Sequence, residues 1–215
     1  MTRGSNTAEV ARLTDIGKTM DSIEIPRYIK VSDKTYTVKS IAKQAFYGDS
    51  ALTTITLPNT LVNIKDQAFY NCFNLSSITI PSSVTSIGYD VFDYCRNLTT
   101  IIVENGNSKY DSRNNCNAII ETQYNSIRYG CCNTTFPNTV SKIGGGSFMG
   151  SGLTQINIPN SVESIGDAAF LNCTNLEKVY ISNSVTSIGN SAFSGCQSLK
   201  TIRLPHNITY IADGL

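Results

Sequence analysis

Residues 167–189 read DAAFLNCTNLEKVYISNSVTSIG, and the chain repeats this pattern. Residues 66–88 read DQAFYNCFNLSSITIPSSVTSIG, and residues 190–212 read NSAFSGCQSLKTIRLPHNITYIA. All three segments have 23 residues, with apolar residues at matching positions. A unit this short cannot bury its own apolar side chains, so fixed-period repeats of this kind indicate stacked coils that share one core. The sequence therefore predicts a solenoid.

The phenylalanine of each AF-like pair anchors the repeat. The anchor phenylalanines are Phe46, Phe69, Phe92, Phe148, Phe170 and Phe193. Successive anchors are separated by 23, 23, 56, 22 and 23 residues. The step of 56 corresponds to one repeat plus roughly 33 further residues, which is an insertion in a repeat array. The regular steps predict coils of about 23 residues on both sides of that insertion.

Each repeat contains an aliphatic pair with one residue between, as in Ile78 and Ile80, which is the period of a strand. Proline ends four of these strands, as expected of a residue that cannot donate to a ladder. A second short extended segment, V/L-x-x-I-G, follows. We expect its glycine to adopt positive φ; these glycines are Gly88, Gly144, Gly166 and Gly189.

Together, L-x-x-I-x-I-P, V-x-x-I-G and A-F-x-x-C-x-x-L resemble the BspA-like class of leucine-rich repeat over residues 38–215. The resemblance implies a mainly β fold, namely a right-handed leucine-rich-repeat solenoid with a concave parallel sheet and short helical turns. Members of this family are mostly surface proteins of bacteria and parasitic protists. Fold does not fix function, so the resemblance is specific for architecture and weak for activity.

Breaks in the repeat define the expected domain organisation. Residues 1–37 form an N-terminal segment with a predicted hairpin that covers the first coil, and residues 38–215 form the solenoid. The insert, about 104–143, begins with a polar loop and continues as strand, turn and strand around Tyr124. It is interpreted as an enlarged coil, with its loop either a binding edge or a spacer.

The C-terminus breaks the pattern differently. A further repeat would place its phenylalanine at position 216, but the chain ends at Leu215 and no polar cap is apparent. We expect the chain to be a fragment of a longer array, or its uncapped last coil to self-associate.

Composition excludes several classes of function. The net charge of +1 argues against nucleic-acid binding, and no apolar run is long enough for a membrane span. His206 is the single histidine, in a turn position held by Asn59, Ser82 and Asn160 elsewhere, so Ser-His-Asp and Cys-His chemistry have little support. We predict no enzyme activity, no catalytic residues, no metal and no cofactor.

The seven cysteines fall into two groups. Cys72, Cys95, Cys173 and Cys196 each follow an anchor phenylalanine by three residues, which predicts a small buried residue under the turn. A disulfide between neighbouring coils remains an alternative. The other three lie in the insert, where Cys116 could pair with Cys131 or Cys132. The sequence leaves the redox state of all seven thiols open.

Between the buried aliphatics, the strand residues should form outward rows on the sheet. The C-terminal rows carry larger side chains, and Tyr and Arg dominate many protein-binding surfaces. The predicted ligand-binding residues are Gln155, Asn157, Lys178, Tyr180, Thr201 and Arg203. An ordinary solvated sheet surface is the alternative.

Three functions follow from these observations. The leading prediction is a non-enzymatic protein-binding or adhesion module of a cell-surface or secreted protein, with its signal and anchor outside this chain. By resemblance alone, its ligand could be host extracellular matrix such as fibronectin or fibrinogen. The alternative is a structural spacer within a larger surface protein. An enzyme is the third and least supported.

Overall fold

The computed structural model describes residues 6–12 and 19–213, and within these ranges it is built almost wholly of short strands. Parts of the predicted N-terminal segment, and the chain end at Leu215, lie outside the described residues. A short 3-10 helix spans Arg113–Asn115. The strands are β1 Thr7–Val10, β2 Ser22–Glu24, β3 Tyr28–Val31, β4 Lys34–Ile41, β5 Thr54–Thr56, β6 Asn63–Ile64, β7 Ser77–Ile80, β8 Ser86–Ile87, β9 Thr100–Val103, β10 Tyr110–Asp111, β11 Ala118–Glu121, β12 Ser126–Gly130, β13 Lys142–Ile143, β14 Gln155–Ile158, β15 Ser164–Ile165, β16 Lys178–Ile181, β17 Ser187–Ile188, β18 Thr201–Arg203 and β19 Tyr210–Ile211.

The predicted β-solenoid is confirmed, because each repeat contributes two strands that pair in parallel with the same positions of the next repeat. Ile156 lies opposite Val179, and Val179 lies opposite Ile202. The second, two-residue strands pair in the same way, with Ile165 opposite Ile188. In strands such as β16, exposed and buried residues alternate, so one face of the strand covers the core and the other meets solvent.

The N-terminal segment supplies strands to the same array. β3 and β4 form an antiparallel hairpin, and Ser32 in its two-residue turn has a φ of 53°. The second half of β4 pairs in parallel with β6, while β1 pairs with β4. β2 pairs in parallel with β5. Strand pairing therefore begins before the first anchor phenylalanine.

Stacked phenylalanine rings run through the core. Phe46 and Phe69 have ring centroids 5.0 Å apart, and Phe170 and Phe193 have the same spacing at an interplanar angle of 4°. This spacing is close to that of neighbouring strands, because one ring is contributed by each coil. Burial of each large apolar side chain contributes about 1.5–3 kcal/mol, so the stack is a main source of stability.

The third side of each coil, around the anchor phenylalanine, differs from the short helical turns that we expected. It is a run of tight turns: Ala68 N–H donates to the Lys65 carbonyl within the coil, whereas Gln67 and Phe69 N–H donate to Tyr89 and Val91 of the next coil. Left-handed residues two before and two after each anchor produce this alternation. They are Gln44, Gly48, Gln67, Asn71, Asp90, Tyr94, Gly146, Gly150, Ala168, Asn172, Ser191 and Gly195. Hydrogen bonds between coils replace those of a helix.

The V-x-x-I-G glycines do not adopt the positive φ that we predicted for them. They are needed instead because neighbouring coils approach closely. A Cβ on Gly88 would lie 2.5 Å from the Asp66 backbone nitrogen of the preceding coil and would also overlap the Asp66 carboxylate. That carboxylate accepts a hydrogen bond from Tyr89 N–H at 2.9 Å. Stacking distance, rather than backbone conformation, selects glycine here.

The insert divides the array. The strands form four sheets instead of two continuous ones: β5, β7 and β9 are separated from β14, β16 and β18, and the two-residue strands are divided likewise. The buried side chains also form two clusters. The hairpin of β11 and β12 lies at the boundary, with Ile119 and Tyr129 in the first cluster and Ile120 and Ile127 in the second. The rows that we expected to run along the whole sheet are therefore interrupted.

Tyrosine hydroxyl groups form hydrogen bonds with backbone groups of β8 and of the residues after it, which have no neighbouring strand at this boundary within the described ranges. Ile87 N–H donates to the Tyr110 hydroxyl at 3.1 Å. The Tyr129 hydroxyl accepts from Val91 N–H at 3.1 Å and donates to the Gly88 carbonyl at 2.7 Å. Buried backbone groups must be paired, and here side chains replace the strand that a regular coil would supply.

The insert also alters the other strand position. Phe136 and Pro137 match the L-P or I-P end of a regular strand, so residues 133–136 correspond to the segment 54–57 that contains β5. Thr134 stands where the regular strand has an aliphatic residue. Its hydroxyl accepts from Cys131 N–H and donates to the Asn117 carbonyl, which closes a turn. A polar residue at this position therefore accounts for the loss of the strand.

Candidate protein-binding surface

The structure brings the six predicted binding residues together on the exposed face of β14, β16 and β18. Gln155 lies opposite Lys178, and Lys178 opposite Thr201. The second row is Asn157, Tyr180 and Arg203, in the same register. All six are exposed, because they alternate with aliphatic residues that face the core.

Charge and aromatic area are concentrated on this face. Tyr180 is 56% exposed and lies between Asn157 and Arg203 in its row. Among the ion pairs found within residues 6–12 and 19–213, none involves Lys178 or Arg203, whereas the nearby Lys200 is paired with Glu177 at 2.9 Å. The face thus presents an exposed ring near two cations, a combination suited to protein contacts.

The four-stranded sheet before the insert has a different surface. Its outward residues include Thr54, Thr56 and Thr79, which are short and hydroxylated. Ile102, on β9, is the exception and is 46% exposed. The insert therefore separates a face of short hydroxylated side chains from a face of larger side chains that include two cations.

A groove of about 590 Å³ lies beside β14, at the interruption itself. Three predicted residues, Gln155, Asn157 and Tyr180, line one side, and Thr134, Thr135 and Phe136 of the insert are also among its lining residues. Sequence reasoning missed these insert residues because they resemble a resumed repeat. Their signal was the polar Thr134 at an aliphatic position.

The polar loop of the insert is held by a network around Arg113. Its guanidinium group forms an ion pair with Asp111, with Arg113 Nη2 donating to Asp111 Oδ2 at 2.6 Å. Arg113 Nη1 also donates to the Asn125 side-chain oxygen at 3.1 Å and to the Thr139 hydroxyl at 3.2 Å. These contacts tie the loop to the hairpin and to the following coil, so it has a defined shape beside β9.

A buried carboxylate lies close to the same boundary. Asp93 is 3% exposed, and its Oδ2 atom has no hydrogen-bond partner among the described residues. The pKa of Asp93 is raised to about 8, mainly by burial and also by the nearby Asp90 carboxylate, while Arg128 opposes the shift. Sequence reasoning did not indicate a buried carboxylate here, since Asp93 occupies an anchor-adjacent position that is tyrosine in two earlier coils.

A family model described as the BspA type leucine-rich repeat region matches residues 20–129 and 117–215, with six copies. The chain belongs to the BspA-type leucine-rich-repeat family. The matched ranges include both the regular coils and the insert. Among curated proteins, none matches the chain.

Solved structures agree with the family assignment. A leucine-rich repeat protein from Bacteroides ovatus is 32% identical to this BspA-type chain, with a TM-score of 0.58 over 99% of it. A leucine-rich cell surface protein from Faecalibacterium prausnitzii is 22% identical, with a TM-score of 0.60, and the matches cover 99% of this chain and 82% of that one. The pneumococcal vaccine antigen PcpA is 20% identical, with a TM-score of 0.56 over 99% of this chain and 75% of its own. The last two show the fold alone.

The BspA-type chain spans 47% of the length of the Bacteroides ovatus protein that it matches. Any activity or partner of a whole protein of that kind therefore remains a proposal for this chain. No helix within the described ranges is long and apolar enough to cross a membrane.

The ladder cysteines of the BspA-type chain are free thiols, mostly buried, that hydrogen-bond to the preceding coil. Cys72 Sγ donates to the Phe46 carbonyl at 2.9 Å, and Cys95 Sγ donates to the Phe69 carbonyl at 3.1 Å. Burial raises the pKa of Cys72 to about 12, so the thiol stays protonated and unreactive. The insert cysteines Cys116, Cys131 and Cys132 are free thiols as well. The predicted structural role fits this ladder.

No group of three or more potential metal ligands occurs in the part of the chain that the structure describes. His206 is exposed, and its backbone N–H donates to the Asn183 side chain of the preceding coil at 3.2 Å. This is the solvated turn position that the sequence predicted for it.

Proposed function

We propose that this chain is a non-enzymatic protein-binding and adhesion module of a cell-surface or secreted protein, which holds its partner on the face of β14, β16 and β18. The carrying observation is that Tyr180 lies opposite Arg203 and two residues after Lys178 on one exposed face, and that neither cation forms an ion pair among the described residues. Membership of a leucine-rich-repeat family supports protein–protein interaction. The similar protein from Faecalibacterium prausnitzii is a cell surface protein, which supports an extracellular location for this chain.

The partner that the resemblance implies is host extracellular matrix, such as fibronectin or fibrinogen. The test is binding of the soluble chain to each protein immobilised on a sensor, beside a Lys178→Ala/Tyr180→Ala/Arg203→Ala variant. A matched control variant, Thr54→Ala/Thr56→Ala/Thr79→Ala, changes the equivalent face of the other sheet. We expect saturable binding that the first variant weakens at least tenfold and the control leaves within threefold. Equal binding by both variants would contradict the assignment of this face.

The second candidate is a structural spacer. Parallel pairing from β12 through β13, β15, β17 and β19 gives the chain an extended and continuous wall. Absence of binding to both matrix proteins would favour the spacer over the adhesion module.

A further inference from the structure

β14 is an edge strand whose free side faces the groove. It ends the three-stranded sheet, and among the described residues no strand pairs with it on the side away from β16. The carbonyl groups of Thr154 and Ile158 accept hydrogen bonds from Glu177 and Ser182 of the next coil. Backbone groups of alternate strand residues point to opposite sides, so those of Gln155 and Asn157 point into the groove.

The strand that would pair with β14 on this side is missing from the described part of the chain. If the repeat were regular, residues 133–136 of the insert would form the strand beside β14. These residues instead form the turn at Thr134. Cys132 N–H donates to the Leu98 carbonyl at 3.1 Å, whereas the regular contact of this kind, as from Ser76 N–H to the Thr53 carbonyl, would use the carbonyl of Thr99. The chain then leaves the strand path. An unpaired strand edge beside an open groove is the arrangement that accepts an added strand.

The lining of the groove indicates the chemistry of the added segment. None of its lining residues is charged: it combines the apolar Phe136, Leu153 and Ile156 with the polar Thr134 and Asn157, among others. Burial of an unpaired charge against such a surface would be costly. The lining thus favours a segment without charges that alternates aliphatic and hydroxylated residues.

We propose that the β14 edge takes an uncharged, extended segment of a partner polypeptide as an added parallel strand. This inference deepens the proposed function and rests on it. Main-chain hydrogen bonds to Gln155 and Asn157 supply affinity, and the contacts with Phe136 and Tyr180 select the side chains.

The chain itself provides a probe, because its regular strands have the required chemistry. The fluorescently labelled peptide SSITIPS, residues 76–82, contains β7 and its ending proline. In the array, the Ile80 carbonyl faces the next coil and accepts from Glu104 N–H at 3.0 Å. The third and fifth residues of the peptide should therefore face β14. We expect saturable binding to the full chain by fluorescence anisotropy.

Backbone methylation gives a matched pair of control peptides. Methylation of the nitrogen of the third residue removes a donor that faces β14, and we expect it to weaken binding at least tenfold. Methylation at the fourth residue removes a donor that faces away, and binding should stay within threefold. Equal effects of the two methyl groups would overturn strand addition.

Two protein variants test the same edge. Asn157→Pro removes an N–H that points into the groove, and proline is tolerated on an edge strand. Asn157→Ala keeps this N–H and removes the side chain. We expect a loss of at least tenfold for Asn157→Pro and a smaller loss for Asn157→Ala, which keeps the backbone donor, with thermal unfolding used to establish that both variants fold. Should Asn157→Pro not fold, the methylated peptides decide the question with the unaltered chain.

Other results would overturn the inference in distinct ways. No saturable binding of the peptide would reject it, even if matrix proteins bind the sheet face. A dimer in sedimentation that Asn157→Pro abolishes would assign the edge to a second copy of the chain instead. Peptide binding without matrix binding would support the edge site while rejecting the proposed matrix partner.

Discussion

The regular coils and the insert bury the same kind of surface by different means. Between regular coils, Phe69 stacks on Phe46 with an interplanar angle of 9°, and backbone groups pair with backbone groups. At the insert, the Tyr129 ring packs edge-on against Phe92 with an interplanar angle of 87°. Its hydroxyl forms hydrogen bonds with the backbone of the coil that contains β8. Gly130 lies against the ring of Phe148 on the other side. Contacts between regular coils are therefore repeated from coil to coil, whereas contacts at the insert depend on individual side chains.

This difference predicts where single substitutions act. A regular boundary depends on ring packing that every coil repeats, so a substitution there removes volume. The insert boundary depends on a few polar atoms and one close approach, so even small changes there should be felt.

The largest expected effect is in a regular coil. Phe170→Ala would leave a cavity between Phe148 and Phe193, whose rings stack on it at 5.0 Å on each side. We expect a loss of about 3–5 kcal/mol in the free energy of unfolding, measured by urea denaturation. Unchanged stability would show that the ring stack does not hold the core.

A methyl group at the insert boundary should be nearly as costly. In Gly130→Ala, the new Cβ would overlap the ring of Phe148, so the ring or the hairpin must move. We expect a loss of about 2–3 kcal/mol in urea. Gly48→Ala is the control: its φ is 68° but nothing lies within 4 Å, so strain alone should cost about 1 kcal/mol. A smaller loss for Gly130→Ala than for the control would contradict close packing here.

Removal of one hydroxyl group tests the polar part of the boundary. Tyr129→Phe keeps the ring against Phe92 but leaves Val91 N–H and the Gly88 carbonyl without this partner. We expect a loss of about 1–2 kcal/mol, by thermal or urea unfolding. The exposed Tyr124→Phe, in the hairpin turn, should change stability by less than about 0.5 kcal/mol. Similar losses for both would remove the special role of Tyr129.

The last expected effect, similar in size to that of Tyr129→Phe, depends on pH. Because the pKa of Asp93 is about 8 in the folded chain, and that of an unfolded aspartate is about 4, the folded state holds an extra proton between these values. Stability from this group is therefore present below about pH 4 and is lost as pH rises towards 8. Asp93→Asn should gain about 1–2 kcal/mol relative to the parent between pH 6 and pH 9.

The measurement is urea unfolding of both proteins across this pH range. Titratable groups common to both proteins cancel in the difference between their free energies of unfolding. The change of this difference with pH therefore reports the titration of Asp93. A difference that is independent of pH would show that the pKa of Asp93 is not raised, and would contradict the burial of its carboxylate.

Much of the architecture was predictable, and the reason lies in periodicity. The spacing of the anchor phenylalanines and of pairs such as Ile78 and Ile80 gave the solenoid, the strands and the outward rows that hold Lys178 and Tyr180. The predicted helical turns and positive-φ glycines were wrong. Hydrogen bonds between coils permit left-handed residues such as Gln67, and the close approach of coils explains glycine at Gly88.

The sequence by itself determined the repeat, its period and the residues that face the core, because these follow from alternation within one coil. Only the tertiary structure decided how the insert joins two stacks. The contacts of Tyr129 with Gly88, of Gly130 with Phe148 and of Thr134 with Asn117 link residues that no period relates. A repeat pattern specifies contacts between equivalent positions, whereas the free edge of β14 arises where that equivalence ends.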